Sequence, residues 1–186
     1  MGVNRHQDYA YIGNAVPNNL HWLDVKKMRD AGFRIIRSAH YPQDPAFMDA
    51  CDELGMFIIV ATPGWQYWNP EPVFEERILS DIRNMVRRDR NHPSVLLWEP
   101  VLNETAFSGV FRTECLSATH EEYPAPGCYA AIDDKSKGAM GYDVVYTAPQ
   151  ERWRFYRNAG KSCFTREYGD CVDDWNSHNS LQPCGT

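Results

Sequence analysis

Short apolar runs alternate with amphipathic segments along this chain. Residues 33–36, 56–60 and 95–98 have the length and the β-branched or aromatic character of strands buried on both faces. Residues 74–86 place apolar side chains every three or four positions opposite charged ones, which predicts a helix. Asp44 and Pro45 supply an N-cap and a first-turn proline for another helix, and Gly55 ends it. The first hundred residues therefore predict strands separated by helices.

The second half of the chain continues this alternation with weaker signals. We expect helices near residues 110–122 and 149–160, and strands at 128–132, 143–146 and 162–165. About seven strand and helix repeats favour parallel strands covered by helices. A closed eight-fold barrel typically needs about 250 residues. The 186 residues therefore predict an α/β fold, a parallel (β/α)8 TIM barrel truncated to about seven of eight strands, as a single partial domain spanning residues 1–186.

Composition and charge remove several classes of partner. The net charge of -6 provides no basic field for nucleic acid or for anionic lipid, so we expect neither as a partner. No apolar run approaches the length of a membrane span, and the first five residues lack the apolar core of a signal peptide. Aromatic residues make up 13% of the chain, and their rings suit the apolar faces of sugars as well as a protein core.

The six cysteines form no C-x-x-C pair, and their spacing indicates neither a zinc site nor a disulfide framework. We expect Cys51 and Cys163 to be small buried hydrophobic residues, since both fall in apolar patterns. No cofactor and no metal are expected. The cysteine pattern therefore does not decide between an oxidising and a reducing compartment.

Polar side chains recur where the predicted strands end, and a parallel barrel would gather them on one face. In chain order they are His6 with Asp8, Arg37 with His40, Trp65, Asn103 with Glu104, Tyr146 and Glu167. Two glutamates from non-adjacent strands suit glycoside hydrolysis, in which one carboxyl protonates the departing oxygen and the other attacks the anomeric carbon.

Three further residues suit the same chemistry. We expect Arg37 to keep Glu167 charged and Tyr146 to donate a hydrogen bond to that carboxylate. Asn103 would bind the sugar hydroxyl next to the reacting carbon.

Five ordered motifs resemble the catalytic barrel of glycoside hydrolase family 2, which includes β-galactosidases, β-glucuronidases and β-mannosidases. The motifs are GVNRH, IIRSAHYP, FMDACDELG, RRDRNHPSVLLWEPVLNE and REYGD. The WQYWN loop and the ending REYGDCVDDWNSHNS are most similar to β-galactosidase-type members from carbohydrate-degrading bacteria. The chain differs from the family pattern in having four residues, not three, between Trp98 and Asn103.

The resemblance implies a retaining β-glycosidase with Glu104 as acid/base and Glu167 as nucleophile. It implies a carbohydrate substrate, flanking β-sandwich domains in a full-length protein, and a periplasmic or secreted location. The residues that it implies for the glycone subsite are Arg37, His40, Asn103 and Tyr146, with His6 and Trp65 beside them.

Other interpretations stay open from the sequence. Arg37 also fits a buried ion pair, and His40 fits a structural histidine. His6 with Asp8 fits a metal pair, as in a metal-dependent barrel hydrolase. Tyr67 and Trp68 fit plain packing better than substrate contact. The whole chain also fits a non-catalytic, sugar-binding remnant of a barrel.

Overall fold

The computed structural model describes residues 1–147 and 160–166, which contain seven strands, four α-helices and one short 3₁₀ turn. The elements in chain order are β1 (Gly2–Arg5), α1 (Asn18–Asp30), β2 (Ile35–Ser38), α2 (Pro45–Leu54), β3 (Phe57–Ala61), α3 (Pro72–Asp89), β4 (Val95–Glu99), α4 (Gly109–Glu122), β5 (Ala131–Asp133), the 3₁₀ turn (Ala139–Gly141), β6 (Val144–Thr147) and β7 (Ser162–Thr165). The alternation expected for parallel strands is confirmed through α4.

All paired strands run parallel, in two sheets ordered β1-β2-β3-β4 and β5-β6-β7. One parallel bridge, between Trp98 and Ala130, joins the sheets, and the Trp98 amide donates to the Tyr129 carbonyl over 2.9 Å. We call this bridge the seam. The described strands therefore form an open parallel α/β assembly, and they do not close into a ring.

The local sequence explains where α2 begins and ends. Asp44 Oδ1 accepts a hydrogen bond from the Ala46 amide over 2.8 Å, and Pro45 occupies the first turn. The helix ends at Gly55, whose φ of 65° lies in the left-handed region that favours glycine. Both ends agree with the sequence prediction, and they fix the length of the connection to β3.

Two apolar layers cover the two faces of the first sheet. Outward side chains of its strands pack against α1, α2 and α3 in one core cluster that includes Ile36, Val60 and the ring of Trp98. The inner layer is formed by Ile59, Leu97, Ala131 and Tyr146. Because neighbouring strand residues face opposite ways, residues two positions beyond the inner layer also point inward.

Three expectations differ from the structure or fall outside it. The fifth strand, expected at residues 128–132, is Ala131–Asp133. It begins later because the carbonyl of residue 129 accepts from Trp98 at the seam, and the carbonyl of residue 130 accepts from the amides of residues 143 and 144. Cys51 is buried as expected, whereas Cys163 is only half-buried. The expected helix at residues 149–160 lies outside the described residues except at its last position.

None of the helices within residues 1–147 and 160–166 has the length and apolarity that a bilayer crossing needs.

Candidate active site

A buried ion pair between Arg37 and Glu99 lies beyond the inner apolar layer of the sheet. Arg37 is on β2, and Glu99 is the last residue of β4, two positions after the inward-facing Leu97. The guanidinium donates from Nε to Glu99 Oε2 over 2.8 Å and from Nη2 to Oε1 over 2.6 Å. The exposures are 2% for Arg37 and 0% for Glu99. The geometry is the bidentate arrangement that matches a guanidinium to a carboxylate.

The same guanidinium reaches the loop after β4. Arg37 Nη2 donates to Asn103 Oδ1 over 3.0 Å, and Asn103 is buried. Arg37 also stands over the Tyr146 ring, 5.6 Å from its centroid. Of the expected substrate-binding residues, the structure thus brings together Arg37 from β2, Asn103 from the loop after β4 and Tyr146 from β6. Tyr146 was expected at the end of its strand, and it lies inside β6.

Glu104 has a different environment from its neighbour Asn103. Its side chain is exposed, and Oε2 accepts a hydrogen bond from Gln66 Nε2 over 2.6 Å. Gln66 belongs to the loop after β3, so two loops at the carboxyl ends of adjacent strands meet here. Both residues have a φ of 59°, which lies in a backbone region that residues other than glycine rarely adopt.

His6, His40 and Trp65 form a second group of candidate residues. The His40 ring stacks on Trp65 with centroids 5.0 Å apart and planes at 25°. His6 meets the edge of His40 at 5.6 Å. Trp65 remains 42% exposed. Tyr67 and Trp68 pack against Phe74, in agreement with the packing interpretation.

Burial and charge control the two titratable rings near Arg37. Burial, followed by the positive charge of Arg37, lowers the pKa of His40 to about 3. Burial and then the negative charge of Glu99 raise the pKa of Tyr146 well above its usual value. Both rings are therefore neutral near pH 7. Within the described residues, His40 Nδ1 has no hydrogen-bond partner, so it is available to a polar group.

A cavity of about 590 Å³ lies between the first two strands and β7. Its lining includes Val3, Asn4, Ile35, Phe164 and Arg37. Of the candidate residues that the structure describes, Arg37 alone lines it. The cavity therefore adjoins the ion pair and does not enclose the loops that carry Glu104 and Trp65.

Several expectations concern residues that the structure leaves undescribed or groups that it lacks. Glu167 lies outside the described residues, so its distance from Glu104 and its expected contacts with Arg37 and Tyr146 stay predictions. Within residues 1–147 and 160–166, no group of three or more His, Cys, Asp or Glu side chains is arranged to hold a metal ion.

Glu99 is the residue at this site that the sequence reasoning missed. The apolar run predicts a strand at residues 95–98 only, whereas β4 extends to Glu99. A signal was available, because alternation along β4 puts Glu99 on the same face of the sheet as Leu97, and alternation along β2 puts Arg37 on the same face as Ile35, which packs against the inner layer.

Parallel strands that are separated by helices and present acidic, amide and guanidinium groups near their carboxyl ends are typical of a TIM barrel domain. The chain belongs to glycosyl hydrolases family 2, since the profile of that family's TIM barrel domain matches residues 1–121. The family expected from the five motifs is thus confirmed.

Relatives agree with this membership, and a solved structure agrees with the fold. The chain is 37% identical over 125 residues to a β-galactosidase from Thermoanaerobacterium thermosulfurigenes, covering 66% of this chain and 17% of that protein. It is 33% identical over 151 residues to a β-galactosidase from Thermoanaerobacter pseudethanolicus, covering 78% of this chain and 20% of that protein. The structure of a family 2 member from Bacteroides cellulosilyticus superposes with a TM-score of 0.75 at 22% identity, covering 90% and 24% of the two chains. The chain thus spans about a fifth of the length of these relatives.

Proposed function

We propose that this chain is the core of the catalytic barrel of a retaining β-glycosidase with β-galactosidase-like specificity. Its strands would be about seven of the eight in such a barrel, and residues 1–186 would form one partial domain. Flanking β-sandwich domains would complete the full-length protein. The β-galactosidase names of the two relatives support this substrate class.

The observation that carries the proposal is the bond from Arg37 to Asn103, 3.0 Å long. It ties the carboxyl end of β2 to the loop that presents the adjacent Glu104. In a family 2 barrel, the Asn103-Glu104 pair at this location is suited to place a general acid beside an amide that binds a sugar hydroxyl. In this proposal Glu104 is the acid/base, Glu167 is the nucleophile, and the glycone is bound by Arg37, His40, Asn103, Tyr146, His6 and Trp65.

Each described group has a task in this reaction. Glu104 donates a proton to the departing oxygen and then takes one from the attacking water. An exposed carboxyl is solvated, so the bound glycoside has to displace that water before proton transfer. Trp65 offers a half-exposed indole face, which suits the apolar face of a sugar ring. Neutral His40 accepts or donates a hydrogen bond without adding charge.

Two substitutions in the full-length protein test the roles of the glutamates. Glu167→Ala should abolish turnover of an aryl β-galactoside, and activity within about tenfold of wild type would remove it as nucleophile. Glu104→Ala should slow substrates with poor leaving groups at least about 100-fold more than activated ones, because only the former need the proton. Equal losses on both would contradict the acid role.

Binding of a β-galactoside by the wild-type protein without hydrolysis would instead identify a sugar-binding remnant. Activity that depends on a metal and is lost with a chelator would support the metal-dependent alternative.

A further inference from the structure

Glu99 is a third carboxylate at the candidate site. It ends β4, pairs in register with Ala61 of β3, and is fully buried. A buried carboxylate is costly unless it is both paired and hydrogen-bonded. Glu99 meets this requirement through two hydrogen bonds from Arg37, which comes from a strand two positions away in the sheet.

The ion pair also determines how Asn103 is oriented. Arg37 only donates hydrogen bonds, so the atom of the Asn103 amide that faces it must be the carbonyl oxygen. The amino group of that amide is then the end that can donate to a ligand. Since Nη2 of Arg37 binds both Glu99 Oε1 and Asn103 Oδ1, the carboxylate and the amide share one guanidinium nitrogen.

We propose that Glu99 is a positioning residue, which holds Arg37 so that Asn103 presents its amino group to the sugar hydroxyl next to the reacting carbon. The inference rests on the proposed glycosidase function. Glu99 itself touches neither the sugar nor the scissile bond in this scheme. It acts through Arg37 and Asn103, so replacing Glu99 should lower kcat/KM far more for substrates that carry that hydroxyl than for those that lack it.

A purely structural ion pair would behave differently. It would weaken the protein and reduce the activity on every substrate alike. Arg5 and Asp24 provide such a pair for comparison, because Arg5 donates from Nε over 3.2 Å and from Nη2 over 2.9 Å to Asp24 Oδ2. That pair joins β1 to α1 and has no hydrogen bond to Arg37 or Asn103 among the side-chain contacts described.

The experiment compares two substrates of the full-length protein: an aryl β-galactoside and its 2-deoxy analogue. For Glu99→Gln, kcat/KM on the galactoside should fall about 100-fold, the loss typical of removing one preorganised donor. On the 2-deoxy analogue it should fall less than about fivefold, since the contact is absent there already. Asp24→Asn should change the ratio between the two substrates by less than about twofold.

Equal losses of Glu99→Gln on both substrates, or no loss on either, would overturn the inference. Where this variant fails to fold, Glu99→Asp decides, because it keeps the charge and withdraws the carboxylate by one methylene. It should also lose more on the galactoside than on the analogue. A wild-type protein that hydrolyses no aryl β-glycoside would overturn the proposed function itself, an outcome distinct from an active wild type with an indifferent Glu99→Gln.

Discussion

Gln66 and Glu104 are joined by a 2.6 Å hydrogen bond although both backbones sit at a φ of 59°. The amide of Gln66 is the donor, and the contact spans the loops after β3 and β4. Holding two non-glycine residues in this region costs on the order of 1 kcal/mol each or more. Unfavourable backbone at both ends of one hydrogen bond is typical of a functional site, where the surrounding structure holds a side chain in place.

We predict that Gln66→Ala lowers kcat/KM on glycosides with poor leaving groups about tenfold. The variant loses the donor that orients Glu104, and the proton has to come from a carboxyl in the right place. Steady-state kinetics on a series of aryl β-galactosides measures the effect.

Gln66→Gly serves as the matched control. Glycine adopts a positive φ readily, so this variant should unfold at a higher denaturant concentration than Gln66→Ala while losing the same activity. Full activity in either variant would show that Glu104 needs no orientation from Gln66.

We predict that the His40 side chain makes stability rise with pH between about 3 and about 6.5. Burial, followed by the charge of Arg37, lowers the pKa of His40 to about 3 in the folded protein. The unfolded chain, with an ordinary histidine pKa of about 6.5, binds more protons throughout this window, so the free energy of unfolding increases as the pH rises.

Denaturant titrations at several pH values test this for wild type and His40→Phe, which keeps a ring for Trp65 to stack on. The wild type should gain more stability than the variant from about pH 4 to about pH 6.5. Parallel curves for the two proteins would contradict the predicted linkage.

We predict that Asp44→Ala lowers the free energy of unfolding by about 1 kcal/mol. The substitution removes the oxygen that accepts from the Ala46 amide. Asp49→Ala is the control, since Asp49 lies on the same helix with its side chain exposed, and it should stay within about 0.5 kcal/mol of wild type. Comparable losses in both variants, measured by urea titration, would argue against a capping role.

Local sequence signals predicted most of the described elements because they act over a few residues. Asp44, Pro45 and Gly55 mark α2 by capping chemistry alone, and β7 was expected at the residues where it lies. The fifth strand begins three residues later than expected, at Ala131, because its start depends on the seam between Trp98 and Ala130, 32 positions apart in the chain. Such a long-range pairing leaves no local signal.

The sequence predicted most of the described residues that meet at Arg37, but it did not predict Glu99. Arg37 and Asn103 were expected at one face, and the structure brings them within hydrogen-bond distance. Among the described residues Arg37 pairs with the carboxylate of Glu99, which was not expected at the site. The expected contact of Arg37 with Glu167 stays a prediction. Which carboxylate an arginine reaches depends on strand register, and the register of these short strands is set by packing across the sheet.

The seam has a further effect on this assembly. Trp98 anchors β4 twice, through its amide to the second sheet and through its ring to the layer of helices, and Glu99 is the next residue. A separation of the two sheets would first displace Glu99, which holds the buried guanidinium of Arg37. The connection between the two sheets therefore also restricts the movement of the buried charges of Arg37 and Glu99.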